Sequence, residues 1–467
     1  MYFNRHCTGE ALKDLASSSP LGWKNSRVLV VTDPIMCDIG LVDPVVAQLK
    51  NMGMQTAIFS DIAPDPDVAT IREGVRVMER FNPDVVVGLG GGSVLDAAKI
   101  MRIMHEHPEL TIAQMSMRFI EIRQRVCPFP KVGSRVRTLV LIPTTSGTGA
   151  EMTPFAVITD EDGVKYPITS YKLLPDCAVV DPQLALSAPR GLAANTGLDA
   201  LTHALESLVS VYASDFTVPL SLKAARGIME HLPLSVHTGH FTHRAACHRA
   251  ASIAGMAFGN AFLGIAHSLA HQLGAAFHIP HGQACAMVIS HVIYYNATDS
   301  PTRMAVFSQY THPVATHRYA QLATQLGLAT EDGPTDEQAL VFALIGAIEA
   351  LKADVGVPGS LRDAGVDEET FLARVDEMAE RAFDDQCTGT NPRYPLVSEL
   401  RQLLVDCYYG PPQPPTKMAD AKRRYVSQDQ IESDAANDAE GDGPFAQGAA
   451  AAKGAEPSTD SATSAAS

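Results

Sequence analysis

The sequence predicts an α/β chain in two parts. An N-terminal α/β domain with a parallel sheet is expected over residues 1–184, followed by an all-helical domain over 185–410. Short β-branched apolar runs alternate with helical stretches in the first part, the pattern of a parallel sheet with helices on both faces. The second part carries apolar residues at three-four spacing almost without a break. From about residue 411 the composition shifts to Pro, Ala, Ser, Gly and acid. Such a stretch buries too little apolar area to offset its ordering entropy, so residues 411–467 are expected to be a disordered tail.

The elements follow in order. RVLVVTDPIM reads as a strand ending in Asp33. In nucleotide-binding βα units an acid at this place takes the ribose hydroxyls. DPVVAQLKNMG, QTAIFSD and VATIREGVRVMERF continue as helix, strand and helix. In PDVVVGLGGGSVLDAAKIM, Val85, Val86 and Val87 read as a buried strand. It runs into Gly90, Gly91, Gly92 and Ser93, and then a helix opens. Glycines let the backbone approach a phosphate, and the helix start offers free N–H groups. The loop fits neither standard nucleotide fingerprint, and a tight turn that binds nothing would also explain it. In RTLVLIPTTSGTGAEMTPFAVITD a strand ends in Thr144 and Thr145, small hydroxyl residues suited to a flat polar ligand or to an ordinary loop. FAVITDEDGVKYPITS reads as a hairpin turning at Asp162-Gly163.

The helical part carries the chemistry. Asp199 and His203 form D-x-x-x-H within GLDALTHALES. His267, His271 and His281 form H-x-x-x-H-x(9)-H within HSLAHQLGAAFHIPHG. A spacing of four sets two side chains on one helix face, a turn apart. Two such helices can aim a carboxylate and imidazoles at one point, and the His after Pro280 can close the set. That donor set suits a divalent first-row metal such as Fe(II) or Zn(II). Sixteen histidines also make chance clusters and satisfied core histidines common.

Bulk properties limit the function classes. The length of 467 residues allows two or three domains and a large core. A net charge of −16 argues against nucleic acid or an anionic membrane as partner. No apolar run approaches the roughly twenty residues that span a bilayer, and the N-terminus lacks a secretory pattern. Eight Cys form no C-x-x-C, which fits reduced thiols and a cytoplasmic location.

The segments GGGSVLDAAKIM, PTTSGTGAEMTPFAVITD, KYPITSYKLLPDCAVVD, GLDALTHALE, NAFLGIAHSLAHQLGAAFHIPHG and FDDQCTGTNPRYPLVSELRQLLVDCYYG stand in matching order and spacing over roughly residues 1–410. On them the chain resembles the iron-containing, or group III, alcohol dehydrogenases, whose fold is dehydroquinate synthase-like. It looks most like the alcohol dehydrogenase half of bifunctional aldehyde-alcohol dehydrogenases. The resemblance implies Asp199, His203, His267 and His281 as metal ligands and His271 as a further active-site histidine. It implies Gly91, Gly92 and Ser93 at the pyrophosphate, Thr144, Thr145 and Lys165 at the cofactor, and Asp33 at the adenosine ribose. The implied cofactors are Fe(II), with Zn(II) as the alternative, and NAD. The implied substrate is a short primary alcohol and its aldehyde, ethanol and acetaldehyde first, and the expected assembly is a homodimer. Val94 and Leu95 stand where the bifunctional relatives carry Pro and Met, and Thr196 where they carry Gly. MYFNRHCTGEALKDL matches the start of their second half, so the chain is either a standalone enzyme or a piece of a longer product. Neither Cys127 nor Cys285 is expected to sit with a paired base at a plausible acyl site, so acetyl-CoA reduction is not expected. Polyol dehydrogenases and dehydroquinate synthase share the metal spacing, and an assembly element of a filament-forming enzyme is the non-catalytic alternative.

Overall fold

Three β-branched residues in a row leave no polar face, so Val85–Val87 are stable only where both sides of the strand are covered. In the computed structural model they begin β4 (Val85–Gly90), whose six residues are all buried. The structure describes residues 1–18, 23–64, 66–116, 129–159, 165–301, 303–305, 310, 313–329 and 336–412. The strands before β4 are β1 (Tyr2–Phe3), β2 (Arg27–Val31) and β3 (Gln55–Phe59). After it come β5 (Thr138–Pro143), β6 (Phe155–Thr159), β7 (Lys165–Thr169) and β8 (Cys177–Val180). Six of them form one sheet in the order β1-β8-β5-β4-β2-β3, and every pairing in it is parallel. Val85 is in register with Val28 of β2 on one side and Thr138 of β5 on the other.

Helices α1 (Cys7–Ser18), α2 (Pro34–Asp38), α3 (Val42–Asn51), α4 (Val68–Phe81), α5 (Gly92–Glu106) and α6 (Ile112–Met115) connect these strands. Alternation along β4 divides its side chains between two cores. Val85, Val87 and Leu89 join residues of α1 and α3. Val86 joins residues of α4 and α5. β6 and β7 pair antiparallel, Val157 opposite Pro167, as the hairpin expectation required. The turn at Asp162-Gly163 lies outside the described residues, as do residues 413–467 and with them nearly all of the expected tail.

The remaining helices are α7 (Arg190–Val209), α8 (Thr217–His237), α9 (Phe241–Ala261), α10 (Ile265–Phe277), α11 (His281–Asn296), α12 (Ala315–Gln325), α13 (Glu337–Asp354), α14 (Glu368–Asp384) and α15 (Val397–Tyr409). They share a third core. α7 departs from simple amphipathic periodicity, because every residue from Gly197 to Val209 is buried. A helix covered on all sides belongs at the centre of its bundle, and α7 packs against α8, α9 and α11. All described residues fall in one compact unit. Among them no single helix is long and apolar enough to cross a membrane.

The loop after β5 meets α9 backbone to backbone. A Cβ on Gly255 would come within 2.7 Å of the Gly149 carbonyl oxygen, and Gly149 itself has φ +58°. Neither side of that contact can yield by a rotamer change. Gly255→Ala should therefore destabilise the protein by roughly 1–3 kcal/mol, the usual cost of overpacking. The measurement is the denaturant midpoint, and an unchanged midpoint would show that the two backbones can separate.

Candidate active site

The C-terminal ends of the central parallel strands open into one cavity of about 1250 Å³. Such crevices are where open α/β sheets bind ligands. Asp33, Gly91, Gly92, Ser93, Thr144 and Thr145 line one region of it. Asp199, His203, His267, His271 and His281 line another. The structure thus gathers every predicted site residue except Lys165, which begins β7 and whose side chain lies outside the described residues.

Asp33 follows β2 and caps α2, its carboxylate accepting from the Met36 amide at 3.0 Å. The capping role was not read from the sequence. Gly91 caps the start of α5 with no side-chain hydrogen bond. At Gly92 a Cβ would fall 2.6 Å from Thr148 Cγ2, so only glycine lets the loop pass there. The Thr144 hydroxyl is buried with no hydrogen-bond partner, and a buried hydroxyl in that state is costly unless a ligand satisfies it. The departure at Val94 is accommodated, with the side chain 2% exposed in the sheet core.

The histidines converge on one carboxylate. Asp199 Oδ1 lies 3.8 Å from His203 Nε2, 3.8 Å from His267 Nε2 and 3.5 Å from His281 Nε2. Donors at about 2.0–2.2 Å from a tetrahedral ion stand some 3.3–3.6 Å apart. The 3.5 Å separation falls in that range, and the two of 3.8 Å need only a small inward shift of the His203 and His267 rings to hold a divalent metal. Asp199 Oδ1 and His267 Nε2 are buried without partners. Burial alone would raise the Asp199 carboxyl, but the imidazoles of His203 and His281 hold it well below the usual carboxylate range. Burial pushes His203 down to about 4 against the pull of Asp199. Burial alone would lower His267 too, yet Cys285, Glu206 and Asp199 hold it well above the ordinary imidazole value. A bound cation would take the place of that proton. The tightest cluster is Asp199, His267, His281 and Cys285, whose donor atoms all lie within 4.8 Å of one another. His203 borders it through Asp199, its ring stacked on His267 with centroids 4.7 Å apart.

Two residues here escaped the sequence reading. Glu206, 2% exposed, accepts from His267 Nδ1 at 2.5 Å and from the Ala266 amide at 2.6 Å. It lies three residues beyond His203 on α7, so helical spacing could have found it. Asp385 accepts from His271 Nδ1 at 2.8 Å. Burial raises its carboxyl, but His271 and the Cys387 amide bring it down to about 2. Cys285 Sγ lies 3.7 Å from His281 Nε2, and Cys127 lies outside the described residues.

A parallel sheet with a glycine-lined crevice thus lies beside a carboxylate–imidazole cluster that could hold a divalent metal. Comparison with known proteins gives the chain's family. Residues 2–182 match the iron-containing alcohol dehydrogenase family, and residues 193–408 match the C-terminal part of the same family. The chain is 47% identical over 413 residues to a bifunctional aldehyde-alcohol dehydrogenase of Escherichia coli strain K12, covering 88% of this chain and 46% of that protein. It is 41% identical over 386 residues to an NADPH-dependent butanol dehydrogenase of Clostridium saccharobutylicum, covering 82% of this chain and 92% of that one. Among solved structures, an iron-containing alcohol dehydrogenase from Thermococcus thioreducens superimposes with a TM-score of 0.74 at 31% identity, covering 88% of this chain and 100% of that one. The chain belongs to the iron-containing alcohol dehydrogenase family. It spans less than half the length of the E. coli relative.

The carboxylate behind His267 orients the ring and raises its basicity. Replacing Glu206 with Gln keeps the shape and removes the charge, and should weaken metal binding roughly 10–100-fold. Competitive titration with a chelator measures it, and equal affinity in the variant would mean Glu206 serves only packing.

Proposed function

We propose that the chain interconverts a short primary alcohol and its aldehyde, with NAD(H) as hydride carrier and a divalent metal held by Asp199, His203, His267 and His281. The observation that carries this reading is the pair of buried, unpartnered atoms, Asp199 Oδ1 and His267 Nε2, on the wall of the cavity that also holds the glycine loop. Fe(II) is the metal that the family points to. When bound, the metal supplies Lewis-acid polarisation of the substrate oxygen, and the nicotinamide supplies hydride exchange.

The chain's own residues do the rest. Gly91, Gly92 and Ser93 bring the start of α5 to the cofactor phosphates, with Thr144, Thr145 and Lys165 along its path. Asp385 holds the Nδ1 proton of His271, which leaves Nε2 to pass the hydroxyl proton between cavity and solvent. His271 is 27% exposed, so it keeps contact with water, whereas His267 at 2% does not. Phe258 and Phe262 stand in the cavity wall and keep water from the metal cluster. A small alcohol is the proposed substrate and a homodimer the proposed assembly. The sheet part, residues 1–184, carries the cofactor contacts and the helical part, 185–410, the metal.

Reconstitution with Fe(II), followed by NADH oxidation with acetaldehyde, tests the activity. His267→Ala should lose both metal and turnover, and stoichiometric metal retained in that variant would refute the ligand assignment. Asp385→Asn should lower kcat by at least about 100-fold with little change in KM, since it disturbs only the proton relay. An unaltered kcat would remove His271 from that role.

Cofactor choice rests on Asp33. A carboxylate at the end of β2 accepts from a ribose 2′-hydroxyl and repels a 2′-phosphate. Wild type should prefer NADH over NADPH, and Asp33→Gly should relax the ratio of kcat/KM values. Equal use of both cofactors by the wild type would place Asp33 elsewhere.

A further inference from the structure

Cys285 stands four residues beyond His281 on α11, so both side chains lie on one helix face. It is fully buried, and its Sγ belongs to the cluster formed with Asp199, His267 and His281. A metal with sulfur at about 2.3 Å and nitrogen at about 2.0–2.1 Å sets those two donors about 3.1–3.8 Å apart for the donor angles of about 90–120° found in a five-donor set. Cys285 Sγ and His281 Nε2 are 3.7 Å apart. An S–H···N hydrogen bond of that length would satisfy the thiol, but it would leave Asp199 Oδ1 and His267 Nε2 buried and unpaired. A cation held by Asp199, His203, His267 and His281 with the Cys285 sulfur as a fifth donor resolves every one of these groups at once.

We propose that Cys285 Sγ is a further donor to the metal of this centre and raises its affinity for zinc relative to iron. The proposal rests on the metal-centre reading above. Coordination breaks the S–H bond, the sulfur lone pair forms the bond to the metal, and the proton leaves through the cavity to solvent. No electron changes hands. A thiolate is a soft donor and favours Zn(II) over the harder Fe(II), whereas a purely carboxylate and imidazole set discriminates less.

The test uses the whole chain, stripped of metal and titrated anaerobically with Co(II). Wild type should bind one equivalent and show visible d–d bands together with a near-ultraviolet sulfur-to-cobalt charge-transfer band. Cys285→Ser and Cys285→Ala should keep the visible bands and lose the charge-transfer band. The ratio of zinc to iron affinity should fall at least about tenfold in both variants. Visible bands without a charge-transfer band in wild type, or a band that survives in both variants, overturns the proposal and leaves the centre standing. Absence of Co(II) binding in wild type overturns both.

Discussion

A carboxylate that is almost wholly buried sets the terms for the helical part of this chain. Asp199 has a side chain only 5% exposed, and its charge costs several kcal/mol to bury unless partners surround it. The partners are three imidazoles from three helices: His203 on α7 itself, His267 on α10 and His281 at the start of α11. The helices must converge for the imidazoles to do so. Hence α7 is covered on every side, and α10 and α11 are joined by only three residues, of which His278 takes the left-handed conformation. Bundle packing and site electrostatics are therefore one problem with one solution.

Two carboxylate–imidazole pairs give neighbouring histidines different work. Glu206 and Asp385 each occupy an Nδ1 and leave an Nε2 available. His267 points its free nitrogen at Asp199, in a place closed to water. His271, one turn further on the same helix, is partly exposed in the cavity and stacks on His281 with centroids 5.5 Å apart. A buried nitrogen facing an anion suits a ligand, and an accessible one suits proton exchange. The fixed Nδ1 bonds keep both rings in the tautomer that each task needs.

What the sequence made legible follows from range. Strands showed because β-branched runs are local, and the pairs Asp199–His203 and His267–His271 showed because a helical turn is local. The centrality of α7 did not show, since its two periodic histidine-side neighbours look the same whether one face is buried or all are. Asp385 could not be read as a partner of His271, because the two are 114 residues apart in the chain and only tertiary packing joins them. The spacing of Cys285 one helical turn beyond His281 was legible, but its approach to Asp199 on α7 and His267 on α10 was not, because only tertiary packing brings those helices together. Asp33 was placed correctly at the end of β2, while its hold on the Met36 amide required the short helix α2 to be seen.

The distance between the glycine loop and the metal cluster has its own cause. The segment after β5 touches both: Thr148 fills the space above Gly92, while Gly147 abuts Thr196 of α7, where a Cβ would come within 2.7 Å. Two residues later Gly149 lies against Gly255 of α9. Small residues at successive steps let this loop serve as a spacer between the sheet and the helices. Backbone contacts are far stiffer than contacts through long side chains, since no rotamer can relieve them. Thr196 occupies the close-packed side of α7 and bonds the Leu192 carbonyl at 2.8 Å, so a hydroxyl residue is held there without displacing Gly147. The cavity thus has a length fixed by main-chain packing. Reactions that join a carrier at one end to a substrate at the other need that constancy, because misplacement by even about 1 Å can cost 100-fold in rate.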